Sequence, residues 1–143
     1  MGPIHAEIEL ISTDDLALHR RGYLTEDKIK RSTVRALVDS GAYMLAINEH
    51  VKAQLDLPLL DRQEAELADG SHVTLEIVGP VDVRFSNRAT TVRAMVLPGD
   101  AEVLLGSIPM DDMDVLIDPK RQQLNVNPAN PYLAKKPLKG ARA

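Results

Sequence analysis

Thr33-Val34-Arg35-Ala36-Leu37-Val38-Asp39-Ser40-Gly41-Ala42 begins as a strand and ends as a turn. Apart from Arg35, its first six residues are apolar or β-branched, as suits a strand with a buried face. Asp39, Ser40 and Gly41 then break the run, and all three residue types form turns. Taken alone the triplet decides little, because at average residue frequencies it arises by chance in roughly one chain in fifteen of this length. Its position raises its value. It follows an apolar strand, precedes the small Ala42, and is answered later in the chain by a second apolar-apolar-glycine element, Leu104-Leu105-Gly106.

Outward from that stretch the pattern is one of short strands and turn signals. Glu7 to Ile11 is a first strand, and the polar stretch from Ser12 to Arg31 reads as a long excursion or hairpin. Asn48 is placed to cap a short helix, Glu49 to Leu55, with Val51 and Leu55 on one face. From Val73 to Phe85 apolar residues alternate with polar ones, which marks a strand, and Gly79-Pro80 interrupts it as a bend or bulge. Ser86-Asn87-Arg88 turns the chain into a strand from Thr90 to Leu97, and Pro98-Gly99-Asp100 turns it again. Val103 to Gly106 opens into a helical turn, Ser107 to Met113. Val115 to Ile117 and Gln123 to Val126 are joined through Asp118-Pro119-Lys120-Arg121. Many short strands with one or two short helices predict an all-β barrel or sandwich.

Composition narrows the field. A chain of 143 residues supports one domain, assigned to residues 1–128, with an extended or disordered C-terminal tail over 129–143. Aromatic residues make up only 3%, so the core must be built from aliphatic side chains, alanine and methionine. A net charge of −4 and the lack of a basic stripe argue against nucleic acid as a partner. The basic tail Lys135-Lys136…Lys139…Arg142 reads as a solvated end. Cysteine is absent, which excludes disulfides, thiol nucleophiles and thiolate metal sites. The amino terminus lacks the basic and apolar regions of a signal peptide, and no apolar run is long enough to span a membrane. A cytoplasmic protein with no membrane association is the expectation.

The order of motifs resembles the retropepsin-like aspartic peptidases: hydrophobic-hydrophobic-Asp-Thr/Ser-Gly-Ala, a flap hairpin, then hydrophobic-hydrophobic-Gly before a short helix. It is most similar to the stand-alone clan AA peptidases of prokaryotes, over about Glu7 to Pro128. Leu67-Ala68-Asp69-Gly70 and Asp114-Val115-Leu116-Ile117-Asp118-Pro119 also look like that family. The resemblance implies a homodimeric aspartic endopeptidase that binds an extended polypeptide and needs no cofactor. Asp39 would be the catalytic carboxylate, one from each subunit forming the dyad. Ser40 would brace the opposite loop, while Gly41, Ala42, Leu104, Leu105 and Gly106 would support the catalytic loop. Asp69, Gly70 and Ser71 would form the flap. Ser40 stands where Thr is commoner, and Tyr43 and Met44 stand where many members carry small or polar residues.

Peptide hydrolysis needs a base to take a proton from water and an acid to protonate the leaving amine. Two carboxylates sharing one proton supply both, since like charges so close cannot both ionise. One chain with a single Asp-Ser-Gly and no internal repeat offers only half of such a site. A different reading keeps the fold and drops the chemistry, leaving a non-catalytic peptide-binding or dimerisation module. Metal chemistry is not expected. Asp14-Asp15 and Asp111-Asp112 read as surface charges without calcium-loop spacing, and His5, His19, His50 and His72 share no ligand spacing. Ser40 lacks the elbow of a serine nucleophile.

The flap admits a sharper expectation. A two-residue turn at Asp69-Gly70 would set apolar beside polar residues on both faces. An odd loop centred on Gly70 pairs Leu67 with Val73 and Ala65 with Leu75. The alternation therefore predicts a loop of three or five residues with Gly70 at its tip, at positive φ.

Overall fold

The computed structural model describes residues 2–140. Nine strands dominate it: β1 (His5–Ser12), β2 (Arg31–Val38), β3 (Leu45–Asn48), β4 (Leu59–Glu66), β5 (His72–Phe85), β6 (Arg88–Leu97), β7 (Leu104–Leu105), β8 (Val115–Asp118) and β9 (Gln123–Val126). Three α-helices join them, α1 (Thr13–Arg20), α2 (Glu49–Leu55) and α3 (Ser107–Met113), together with a 3₁₀ turn at Glu26–Lys28. Seven strands lie in the order β1-β2-β7-β3-β6-β5-β4, and β1 pairs with β5 as well. That extra pairing closes six strands into a ring and leaves β4 attached outside it. Closure requires the length of β5. Its first half, to Val78, pairs with β4, and its second half, Val81–Arg84, pairs with β1.

The bend expected at Gly79-Pro80 is a β-bulge. Val78 pairs with Ala94 and Val81 with Val92, so three steps on β5 match two on β6. The extra residue has a consequence for the apolar alternation, which does not line a single face. Val78, Val81 and Val83 point into the core, whereas Val73, Leu75 and Ile77 lie on the opposite face of β5. The core is aliphatic, as the shortage of aromatics requires, with Leu10, Leu45, Ile47, Leu55, Leu105 and Met113 fully buried.

Helix α2 has the predicted bounds: Asn48 Oδ1 accepts the Val51 N–H at 2.9 Å, and Val51 and Leu55 are buried. The helix count corrects the sequence expectation, with three helices where one or two were expected. The additional one is α1, in the segment read as an excursion or hairpin. Ser12 Oγ caps it by accepting the Asp15 N–H at 3.2 Å. Asp14 and Asp15 occupy the first turn and His19 and Arg20 the last, which suits the helix dipole. Asp15 is a second correction, since it is buried rather than on the surface. Its carboxylate accepts the Lys30 N–H at 2.9 Å and lies 3.1 Å from Lys30 Nζ, fastening α1 to the start of β2.

Residues 127–140 form no helix or strand, yet Asp114 ties their first part to the body. Its carboxylate accepts from Asn127 Nδ2 at 2.9 Å, Asn130 Nδ2 at 2.8 Å and the Lys135 N–H at 3.0 Å. These bonds, led by Asn127 and the Lys135 N–H, hold the Asp114 carboxyl below its ordinary pKa. The buried Arg88 guanidinium also donates to the Asn130 carbonyl. Arg142, part of the basic tail, lies outside the described residues. Among the described residues no helix is long and apolar enough to cross a membrane.

Candidate active site

Strand β7 lies between β2 and β3, so the chain from Asp39 to Met44 must cross the end of β7 to reach the next strand. This crossing is held from below. Leu37 and Val38 pair in parallel with Leu104 and Leu105. The Asp39 N–H donates to the Leu105 carbonyl at 3.0 Å, and the Ser107 N–H donates to the Ala42 carbonyl at 2.9 Å. Gly106 is where the two segments touch most closely. A Cβ there would collide with the carbonyl oxygens of Met44 and Ala42, the latter only 2.7 Å away. Glycine at this position is thus a condition for the crossing, as its place in the Leu104-Leu105-Gly106 element suggested.

Asp39 is a half-buried residue, and its Oδ1 accepts the Gly41 N–H at 2.9 Å. The Ala42 N–H returns to the Asp39 carbonyl at 3.1 Å, which closes the turn. Gly41 keeps space beside the carboxylate, since a Cβ there would lie 3.2 Å from Oδ1. Ser40 is exposed.

Asp39 opens onto a cleft of about 670 Å³ whose other wall is the β4–β5 hairpin, from Gln63 to Ala68 with Leu75. Its floor carries Ala46, Met95, Leu97 and Leu104. Leu75 reaches this cleft because of the bulge at Gly79-Pro80. On its side of the bulge the face opposite the core is the face that carries Met95, the partner of Ile77. Met95 and Leu97 sit on the same side of β6, so the cleft floor is a strip of alternate residues. The sequence marked Leu75 only as a hairpin partner of Ala65 and did not single out Met95, and neither was named as a site residue. Their apolar character reads as core, and only the strand pairing shows that they face a cavity.

The hairpin loop has the predicted parity and a shifted register. Glu66 pairs with His72, Ala65 with Val73 and Gln63 with Leu75. The Leu67 N–H donates to Ser71 O at 2.8 Å and the Gly70 N–H to Leu67 O at 2.9 Å. Ala68, Asp69 and Gly70 therefore form a three-residue loop, with Gly70 at φ +86° as its last residue. The centre is Asp69, not Gly70, and the expected Leu67–Val73 and Ala65–Leu75 pairs are each displaced by two residues. The reason is the turn type: a type I turn closed by a left-handed glycine places that glycine after the apex. Asp69 Oδ1 accepts the Ser71 hydroxyl at 2.6 Å and its N–H at 2.9 Å. These bonds, the hydroxyl first, hold the Asp69 carboxyl below its ordinary value.

The histidines are dispersed. His5 pairs with Glu102, His72 lies 2.8 Å from Glu64, and His19 lies 2.9 Å from the Leu24 carbonyl. Among the described residues no group of three or more His, Asp or Glu side chains is placed to hold a metal ion. Asp111 is exposed, and Asp112 accepts the Thr90 hydroxyl at 2.5 Å.

No curated protein matches the chain. A profile of the family described as "gag-polyprotein putative aspartyl protease" matches residues 26–111, from the 3₁₀ turn before β2 into α3. That span holds the Asp39 turn, the hairpin and Gly106, the elements that build the cleft. The chain belongs to this retropepsin-like family of aspartic proteases.

Proposed function

We propose that the protein is an aspartic endopeptidase whose active site is completed by a second copy, each chain contributing Asp39. The observation that carries this reading is the placement of Asp39. It is the acid on the crossing loop, held by Gly41 and by the strand ending at Gly106, and it faces a peptide-sized cleft under a hairpin. The other acids lining that cleft, Glu64 and Glu66, belong to the hairpin wall. Meeting across a two-fold axis, two Asp39 carboxylates share one proton. The ionised one takes a proton from water as it attacks the scissile carbonyl, and the protonated one supports the developing oxyanion. The C–N bond then breaks, and the leaving amine takes up the proton that the first carboxylate drew from water. Gly41 donates its N–H to the carboxylate, Ser40 braces the partner's loop, and Ala42, Leu104, Leu105 and Gly106 hold the loop in place. The hairpin around Asp69, Gly70 and Ser71 closes over an extended peptide, which bonds to it as an added strand. No cofactor takes part.

The test is incubation of the protein with a diverse peptide mixture from acidic to neutral pH, with and without pepstatin, beside Asp39→Asn. Cleavage by the wild type that pepstatin blocks and Asp39→Asn lacks is expected. Undiminished cleavage by a folded Asp39→Asn protein would remove Asp39 from the chemistry. Peptide binding without any cleavage would favour the non-catalytic module.

A further inference from the structure

A second hollow of about 400 Å³ adjoins the cleft and shares Tyr43, Met44 and Gln63 with it. Strand β6 connects the two. Met95 and Leu97 line the cleft, while Arg93 and Thr91, the next residues on the same side of the strand, line the hollow. Opposite them stand Tyr43 and Ile108, 72% and 38% exposed although both are large and apolar. The Ile108 N–H donates to the Tyr43 carbonyl at 3.0 Å, so the backbone that carries these two side chains is tied together. The charge also changes along the path. Asp39, Glu64 and Glu66 are the charged residues lining the cleft, and Arg93 is the charged residue lining the hollow. Arg93 pairs with Asp61 at 3.9 Å, with both side chains about half exposed. A pair so open is weak and easily exchanged for another carboxylate.

We infer that this hollow is an outer recognition site for the same peptide, selecting an acidic side chain through Arg93. The inference rests on the peptide-cleft reading above. A strand advances about 3.3 Å per residue, so Arg93 lies roughly 7 Å beyond Met95, or two residues of an extended peptide. The preferred substrate therefore carries Asp or Glu about two residues outward from the side chain seated against Met95. Tyr43 and Ile108 cover the stem of that acidic residue and raise the strength of its contact with Arg93 by excluding water. Tyr43 thus forms a wall of the site.

The experiment profiles cleavage of a proteome-derived peptide library by wild type and Arg93→Glu. Capture of the same library by both proteins is measured in the Asp39→Asn background, and thermal unfolding shows that each is folded. Enrichment of acidic over basic residues at the outer position, by about threefold or more, is expected for Arg93, with loss or reversal in Arg93→Glu. Cleavage with identical flanking profiles in both proteins would overturn the inference while the peptidase reading stands. Acid-selective capture that Arg93→Glu abolishes, with no cleavage by either active form, would support the recognition site and sink the peptidase reading. Neither capture nor cleavage would overturn both.

Discussion

Replacing Gly106 by Ala adds one methyl group where two backbone carbonyls converge. The new Cβ would sit 2.7 Å from the Ala42 oxygen and closer still to that of Met44. An ordinary contact needs about 3.5 Å, so the crossing loop must retreat by about 0.8 Å or more. Backbone oxygens cannot rotate away as side chains do, and the hydrogen bonds from Asp39 N to Leu105 O and from Ser107 N to Ala42 O oppose the shift. Overpacking of this kind costs roughly 1–3 kcal/mol, and the upper end applies here because the obstacle is backbone. For a domain of this size that lowers Tm by about 8–10 °C. Catalysis suffers further, since a misplacement near 1 Å costs about 100-fold in rate. Circular dichroism melts and peptide-cleavage kinetics on the same samples measure both effects. The matched control is Gly41→Ala, whose Cβ would meet only the Asp39 carboxylate, at 3.2 Å. It should lose activity with little loss of Tm. A Gly106→Ala protein that melts within about 2 °C of wild type and cleaves normally would refute the argument that this glycine sets the loop.

If two copies share the dyad, specific activity should fall steeply on dilution below the dimer dissociation constant. Full activity in a sample that is monomeric by sedimentation would rule that out. Gly70→Val should reduce turnover by stiffening the hairpin. Nothing crowds its Cβ, but φ +86° makes the substitution cost about 1–2 kcal/mol, and wild-type kinetics would show that the hairpin need not move. Asp114 should release the tail in acid. Because its folded pKa is depressed, the stabilisation is complete above the unfolded value and is lost only as pH falls through the lower folded one. An NMR titration of the Lys135 amide should therefore inflect below 3.8, the ordinary value for the carboxyl. Inflection at or above that value would contradict the docking.

Much of this was legible in the chain itself, and for local reasons. Asn48 with Val51 and Leu55 specified α2 because a cap and a helical apolar spacing act within one turn of each other. The strand before Asp39, the turn at Ser86-Asn87, the bulge at Gly79-Pro80 and the odd parity of the hairpin loop are likewise short-range properties. Helix α1 was not legible by apolar periodicity, because polar bonds from Ser12 and Asp15 anchor it and its partner Lys30 lies beyond the next turn. The exact register at Gly70 depended on which loop position takes the left-handed conformation, which alternation alone leaves open. The pairing of β1 with β5, the flip in facing at the bulge and the seating of the tail on Asp114 depend on contacts between distant segments. Side-chain alternation assigns two faces to a strand but does not say which one meets the core. That choice belongs to the neighbouring strands, and it is what turns Leu75 and Met95 from apparent core residues into the lining of a cleft and sets Arg93 in the hollow beside it.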